Sequence, residues 1–219
     1  MSVLAGARAR DIELIDGLQS LGLSLSSDAC AKLDAYVALL AKWNRTYNLT
    51  AIREPARMVT HHLLDALAVV PHLPQRAMLR VLDVGAGAGV PGIPLAIARP
   101  QWNIVLVDSN HKKVAFLTQA AIELALPNVR AIAGRVEDIA DEPTFDVVIS
   151  RAFADLLTFA QLAARHVAPT GHLYAMKGVF PKGEIAALPP SIEVVATPAL
   201  DVPGVDAERH LIVMRVATA

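Results

Sequence analysis

Between residues 79 and 100 the chain reads LRVLDVGAGAGVPGIPLAIARP, the stretch that most narrows its choice of fold. Leu79 to Val84 is a short apolar run rich in branched residues, the pattern of a strand buried on both faces. It stops at Gly85-Ala86-Gly87-Ala88-Gly89. Glycine accepts positive φ and lets a ligand reach the backbone with no Cβ in the way. Pro91 and Pro94 suit the first turn of a helix, where the leading N–H groups lack intrahelical partners. Strand, glycine turn and helix start together form a seat for a nucleotide-like ligand. With Asp83 two residues ahead of Gly85, the loop is D-x-G-x-G-x-G. Read from Gly87, it also satisfies G-x-G-x-x-G through Gly87, Gly89 and Gly92, the dinucleotide fingerprint. The loop by itself does not choose the ligand.

From residue 79 onward, strand and helix patterns alternate. Strands are expected near 80–84, 103–108, 129–133, 145–150 and 171–176, with helices near 91–99, 111–125, 136–140 and 153–167 between them. Such alternation implies a parallel sheet with helices on both faces. Two further strands, 191–196 and 210–216, are joined through Pro203-Gly204 without a long helix, so they should pair antiparallel. That reversed last strand separates the pattern from the six-stranded dinucleotide fold. Ahead of residue 79 the periodicity is helical, over 9–23, over 28–43 with Leu33, Tyr36, Val37 and Leu40 on one face, and from Glu54-Pro55 to Pro71. Residues 1–78 thus read as an N-terminal helical extension, and 79–219 as the α/β domain onto which it packs in one globular unit.

Composition removes several function classes. With 219 residues, 54% apolar and 19% charged, the chain is globular and can bury a sizeable core. The net charge of −1 divides unevenly: residues 1–80 carry nine Lys/Arg against seven Asp/Glu, and residues 81–219 carry eleven against fourteen. A single cysteine, Cys30, excludes an internal disulfide and a multi-cysteine zinc site. Charges at Arg8, Arg10, Asp11, Glu13 and Asp16 break up any signal-peptide core, and no apolar run is long enough to span a membrane. A cytoplasmic monomer without a metal is expected.

Candidate site residues fall at strand ends. Asp108 closes the second strand, where a carboxylate can accept hydrogen bonds from both ribose hydroxyls of an adenosine, in NAD or S-adenosylmethionine alike; the alternative is a helix cap. Gly134-Arg135-Val136-Glu137-Asp138 follows the third strand, and its backbone could flank an adenine ring. Arg151 follows the fourth strand at a helix start, a poor place for a cation unless a ligand carboxylate or similar partner is near. Lys177 closes the fifth strand and faces a phosphate or solvent. His61 and His62 read as helix-surface or packed histidines. Lys42, Arg45, Arg53 and Arg57 interleave with Trp43 and Tyr47, a mixture that suits an RNA strand through phosphate contacts and stacking, or a solvated loop anchored by aromatics.

These pieces resemble one family. WNRTYNLTAI at 43–52, HLLD at 62–65, LDVGAGAGVPGIP at 82–94, VDSNHKKVAFL at 107–117, SRAFA at 150–154, YAMKG at 174–178 and ERHL at 208–211 occur in the order seen in the bacterial small-subunit rRNA methyltransferase G family, also named glucose-inhibited division protein B. The resemblance covers roughly residues 33–216. It implies a Rossmann-like, seven-stranded class I methyltransferase fold using S-adenosylmethionine to methylate N7 of guanine 527 of 16S rRNA in the small ribosomal subunit. Carried over by position, it implies cofactor contacts at Gly85, Val90, the Val136-Glu137 backbone and Arg151, to which the motifs add Gly87 and Asp108. Asn-His-Lys-Lys at 110–113 stands where Leu-Gly-Lys-Arg is common. Guanine N7 bears a lone pair and no proton, so a dedicated catalytic base is not expected and Arg151 is the nearest candidate for a catalytic side chain. An NAD-dependent oxidoreductase, and an RNA-binding module without activity, are the rival readings.

Overall fold

The computed structural model describes residues 12–139 and 144–217; the opening of the expected 9–23 helix, residue 140 of the short 136–140 helix and the terminal residues lie outside them. Among the described residues there is one seven-stranded sheet: β1 Arg80–Val84, β2 Asn103–Asp108, β3 Val129–Ala133, β4 Phe145–Arg151, β5 Val167–Lys177, β6 Ile192–Ala196 and β7 His210–Val216. Their order is β3-β2-β1-β4-β5-β7-β6. β1 to β5 pair in parallel, whereas β7 runs antiparallel to both β5 and β6. The expected reversed strand is therefore present, wedged between β5 and β6 rather than at the sheet's edge.

β1 shows why the sheet is covered on both sides. Val81 packs into one apolar cluster and Leu82 and Val84 into the other, so alternate side chains feed opposite layers. One layer holds α6 Leu156–Ala163; the other holds α4 Gly92–Ala98, α5 His111–Glu123 and the N-terminal helices. Those helices are α1 (residues 12–20), α2 Ser27–Tyr47, and α3, which runs through Pro55–Met58, a π-helical turn Val59–Leu64 and Asp65–Leu67. Leu14, Leu18, Leu33, Val37, Leu40 and Leu64 share one cluster with Ile93, Leu95, Phe116 and Leu117, so the N-terminal third has no core separate from that of the sheet.

Two differences from expectation have local causes. The helix expected over 153–167 starts at Leu156, because Asp155 caps it, its carboxylate accepting the Thr158 N–H at 2.9 Å, and after Ala163 it tightens into a 3-10 turn over Ala164–His166. β5 starts earlier than expected, at Val167, because Val167 pairs with Phe145 ahead of an irregularity whose extra residues lie in β5, between Val167 and His172. In addition, α2 extends one turn beyond the expected boundary and ends at Asn48 with φ 49, so Trp43 and Tyr47 lie four residues apart on one helix, their ring centroids 5.2 Å apart.

The N-terminal helices also brace the glycine loop. Tyr36, fully buried in α2, donates its hydroxyl to the Ala88 carbonyl at 2.7 Å, 52 residues away in sequence. Burial pushes its phenol well above the usual tyrosine range, so it stays a donor at every working pH. Replacing it, Tyr36→Phe, strands the Ala88 carbonyl in an apolar site. A loss of about 1–3 kcal/mol is expected, the cost of an unsatisfied buried group. Urea denaturation of the two proteins measures it, and a loss below about 0.5 kcal/mol would mean the hydroxyl does not brace the loop.

Candidate cofactor cavity

At the carboxyl edge of the sheet β2 lies on one side of β1 and β4 on the other, the place where parallel α/β sheets open a crevice. Ser150 marks the parting of β1 and β4, whose pairing ends at Asp83 and Ile149; its hydroxyl donates to the Val84 carbonyl at 2.9 Å. A cavity of about 420 Å³ opens here, lined by Val84, Gly85, Val107, Asp108, Lys113, Arg135, Val136, Glu137 and Phe153, among others. That volume suits a nucleoside-sized ligand, and apolar walls with a few polar groups are typical of such sites.

Of the glycine loop, Gly85 lines the cavity, and backbone geometry places it there. Gly85 has φ +68 and Gly87 φ +58, left-handed conformations that glycine adopts without strain. A Cβ at Gly85 would lie 2.5 Å from Cδ2 of Phe153, so the ring rests directly on the glycine. The helix that follows starts at Gly92, whose N–H donates to Asp83 at 2.8 Å, and a Cβ there would run into Leu106 and Asp83. Asp83 was legible only as the first letter of the motif. It is wholly buried on the helical side of β1, its other carboxyl oxygen has no partner, and burial raises its pKa to about 7. The nearby Arg151 charge works in the opposite direction.

Asp108 is not the helix cap: Asn110 has that role, accepting the Lys112 N–H at 3.0 Å. Instead, Asp108 accepts the Gly87 N–H at 2.9 Å and the Asn110 N–H at 2.8 Å, with Lys113 Nζ 3.6 Å away. Its carboxylate thus joins the end of β2 to the glycine loop while lining the cavity. On the next strand end, buried His166 donates from Nε2 to the Val136 carbonyl at 2.8 Å and fixes the turn that Glu137 continues. Of the residues expected to bind a cofactor, the cavity brings together Gly85, Asp108, Val136 and Glu137. Gly87 does not line it but is bonded to Asp108, which does; Val90, which is buried, and Arg151 are not among its lining residues either.

Arg151 ends β4 and turns toward α3. Its Nη1 donates to the His61 carbonyl at 2.8 Å and to Asp65 at 2.9 Å. Asp65 accepts Arg209 Nε on its other oxygen at 2.8 Å. His62, read from the sequence as packed, lies in the π-helical turn with Nε2 2.9 Å from the Thr50 hydroxyl, while Nδ1 faces the His61 carbonyl and Arg151 Nη2. Nδ1 can donate to the His61 carbonyl or accept from the Arg151 guanidinium, not both, and a doubly protonated ring would set an N–H and a positive charge against that guanidinium. Burial and Arg151 accordingly lower its pKa to about 4. Thr50 in turn donates its N–H to Asn44, whose amide holds the Ile52 carbonyl. The NRTYNLT segment is therefore the last turn of α2 and the short turn after it, tied to Arg151 through Thr50 and His62.

The basic candidates separate into two groups. Lys42, Arg45, Arg53 and Arg57 are exposed, with Tyr47 exposed beside them. Lys177, expected to face a phosphate or solvent, instead donates to the Ala154 carbonyl at 2.9 Å and pairs with Glu184 at 2.8 Å. Sequence reasoning had no signal for the roles of Tyr36, Asp65 or Phe153, because their partners are 52 to 144 residues away or lie on another strand end. Among the described residues no group of three or more His, Cys, Asp or Glu side chains is arranged to hold a metal, and no helix is long and apolar enough to cross a membrane.

Comparison with known proteins adds a family. Residues 29–212 match the description rRNA small subunit methyltransferase G. The ribosomal RNA small subunit methyltransferase G of Nitrosospira multiformis is 50% identical over 212 residues, covering 94% of this chain and 97% of that protein. Its counterpart from Azoarcus sp. is 50% identical over 214 residues, covering 98% and 99%. Among solved structures, a precorrin-6y C5,15-methyltransferase from Geobacter metallireducens superposes with a TM-score of 0.51 at 15% identity, over 68% of this chain and 86% of that one. The P. horikoshii TYW2 in complex with MeSAdo gives a TM-score of 0.55 at 14% identity, over 72% and 62%. At such identities these structures speak for the fold, the class I methyltransferase sheet with its reversed strand.

The two perturbed groups oppose each other in pH. Between about 3.8 and 7 the unfolded chain ionises Asp83 while the folded chain keeps its proton, so raising pH there costs stability. Between about 4 and 6.5 the unfolded chain protonates His62 and the folded chain refuses, so raising pH there adds stability. In the overlap the two nearly cancel. Relative to the unsubstituted protein, Asp83→Asn should gain stability as pH rises from 4 to 6.5, and His62→Gln should lose it, each with a slope approaching about 1.4 kcal/mol per pH unit. Urea unfolding at a series of pH values tests this; parallel curves for all three proteins would contradict it.

Proposed function

The chain belongs to the rRNA small subunit methyltransferase G family, and from that premise we propose that it is a cytoplasmic, monomeric enzyme that methylates N7 of guanine 527 in 16S rRNA of the small ribosomal subunit. S-adenosylmethionine, when bound, supplies a methyl group made electrophilic by its sulfonium sulfur. The observation that carries the reading is the cavity at the carboxyl ends of β1 to β4, with Asp108 at the end of β2 and the positive-φ Gly85 in its wall.

The residues present fit that cofactor. Gly85 and Gly87 offer backbone without side chains, Asp108 has acceptor capacity for ribose hydroxyls, and the Val136-Glu137 turn presents backbone beside an apolar wall. Arg151 is assigned to the carboxylate of the amino-acid end, sharing its guanidinium with Asp65. Exposed Lys42, Arg45, Arg53 and Arg57 are assigned to RNA phosphates, with Tyr47 available to stack a base. Lys177 pins the loop after β4 and is not assigned to RNA.

Guanine N7 has a free lone pair, so no side chain must remove a proton before transfer. The protein's contribution is then orientation: bringing N7 in line with the methyl group and excluding water, a class of effect worth up to about 7–11 kcal/mol. The base must be unstacked or already exposed in a loop to enter. Incubating the enzyme with small-subunit RNA and labelled cofactor, then mapping the modified nucleotide, tests the proposal. A single 7-methylguanine at position 527 is expected; label at another nucleotide, or none on either free RNA or assembled subunits, would overturn it.

A further inference from the structure

The Asp65 side chain is only 3% exposed, and each of its carboxyl oxygens is taken by a guanidinium from a distant part of the chain, Arg151 at the end of β4 and Arg209 just before β7. The π-helical turn Val59–Leu64 just before it turns the His61 carbonyl toward the same Arg151 nitrogen. π-turns within α-helices are uncommon and cluster at functional sites. Here the turn lets one helix present a carbonyl and a carboxylate to a single guanidinium.

What Arg151 is attached to makes this arrangement consequential. Ala152, the next residue, has φ +56, a conformation an alanine holds only where neighbours enforce it. Phe153 follows, resting on Gly85 and meeting Phe159 edge-on with ring centroids 6.3 Å apart. At the other end of this short loop, the Ala154 carbonyl is held by Lys177, and Glu184 accepts both Lys177 and the Leu156 N–H. The cavity's Ala152-Phe153 wall is thus fixed from two sides, by Lys177-Glu184 and by Asp65 through Arg151. One carboxylate facing two guanidinium groups also leaves a net charge of +1, beside a His62 that stays neutral. A half-buried excess positive charge favours an anionic group on the ligand.

We infer that Asp65 is a positioning residue for the cavity: it fixes Arg151, and with it the Ala152-Phe153 wall, in the arrangement that receives the carboxylate end of the ligand. The inference rests on the reading of the cavity as the cofactor's. Asp65→Glu keeps the charge but moves it by one methylene. The displaced Arg151 would lose a charge-assisted hydrogen bond to the ligand, worth about tenfold or more in affinity. Asp65→Glu should therefore weaken binding of S-adenosylhomocysteine, measured calorimetrically, by about tenfold or more while the KM for small-subunit RNA stays within about twofold. Asp65→Asn, which keeps the shape and removes the charge, is the second arm and decides the matter if the glutamate variant does not fold. Thermal unfolding of each variant separates loss of fold from loss of binding. Wild-type affinity in a folded Asp65 variant, or equal weakening toward cofactor and RNA, overturns the inference and leaves the cavity reading standing. Failure of the unsubstituted protein to bind S-adenosylhomocysteine overturns the cavity reading and this inference with it.

Discussion

Across the turn from β1 to α4, the Gly92 N–H donates to Asp83, and the position of the whole glycine loop follows from that bond. It fixes where the helix begins relative to the strand, and so how Gly85 to Gly89 must arch between them. The partner is a carboxyl group with no access to water, held at a pKa near 7 by its burial. Proton-bearing or not, it occupies the space beside Gly92, which is why that position has room for no Cβ. On one side Asp108 accepts the Gly87 N–H; on another the Tyr36 hydroxyl donates to the Ala88 carbonyl. The loop is held from the strand beneath, the neighbouring strand and the N-terminal helices at once. A ligand meeting it finds its backbone already placed, which lowers the cost of binding.

The N-terminal helices therefore do more than extend the domain. They share its core, brace its loop through Tyr36, and meet the end of β4 through His61, His62 and Asp65. The exposed basic face of residues 42–57 belongs to the same structure, since Asn44 and Thr50 hold that segment and Thr50 contacts His62. A continuous set of bonded groups runs from the proposed RNA face to the proposed cofactor cavity. Substrate and cofactor sites built on one rigid unit suit a reaction in which alignment, rather than proton transfer, is the task.

Much of this was legible in the sequence, for identifiable reasons. β1 to β3 lie at the expected residues because each is a branched apolar run closed by glycine or a polar turn, a signal that needs no tertiary context. Asp108 and the Val136-Glu137 turn reached the cavity because strand ends in a parallel sheet share one edge by topology. What stayed hidden depends on partners far along the chain. Nothing local marks Asp65 as the meeting point of Arg151 and Arg209, and a lysine at a strand end looks the same whether it faces a phosphate or, like Lys177, a carbonyl and Glu184. The π-turn leaves no periodic trace in six residues, and the Leu156 start of α6 is set by its Asp155 cap and the loop before it.

The central claim is that the edge cavity between β1, β2, β3 and β4 receives S-adenosylmethionine. Backbone amide NMR spectra recorded while S-adenosylhomocysteine is added test it most directly. The account predicts saturable shifts concentrated at Gly85, Gly87, Asp108, Val136, Glu137 and Phe153. Shifts confined to the cleft of Lys42, Trp43, Tyr47 and Gln119, or none at saturating ligand, would contradict it.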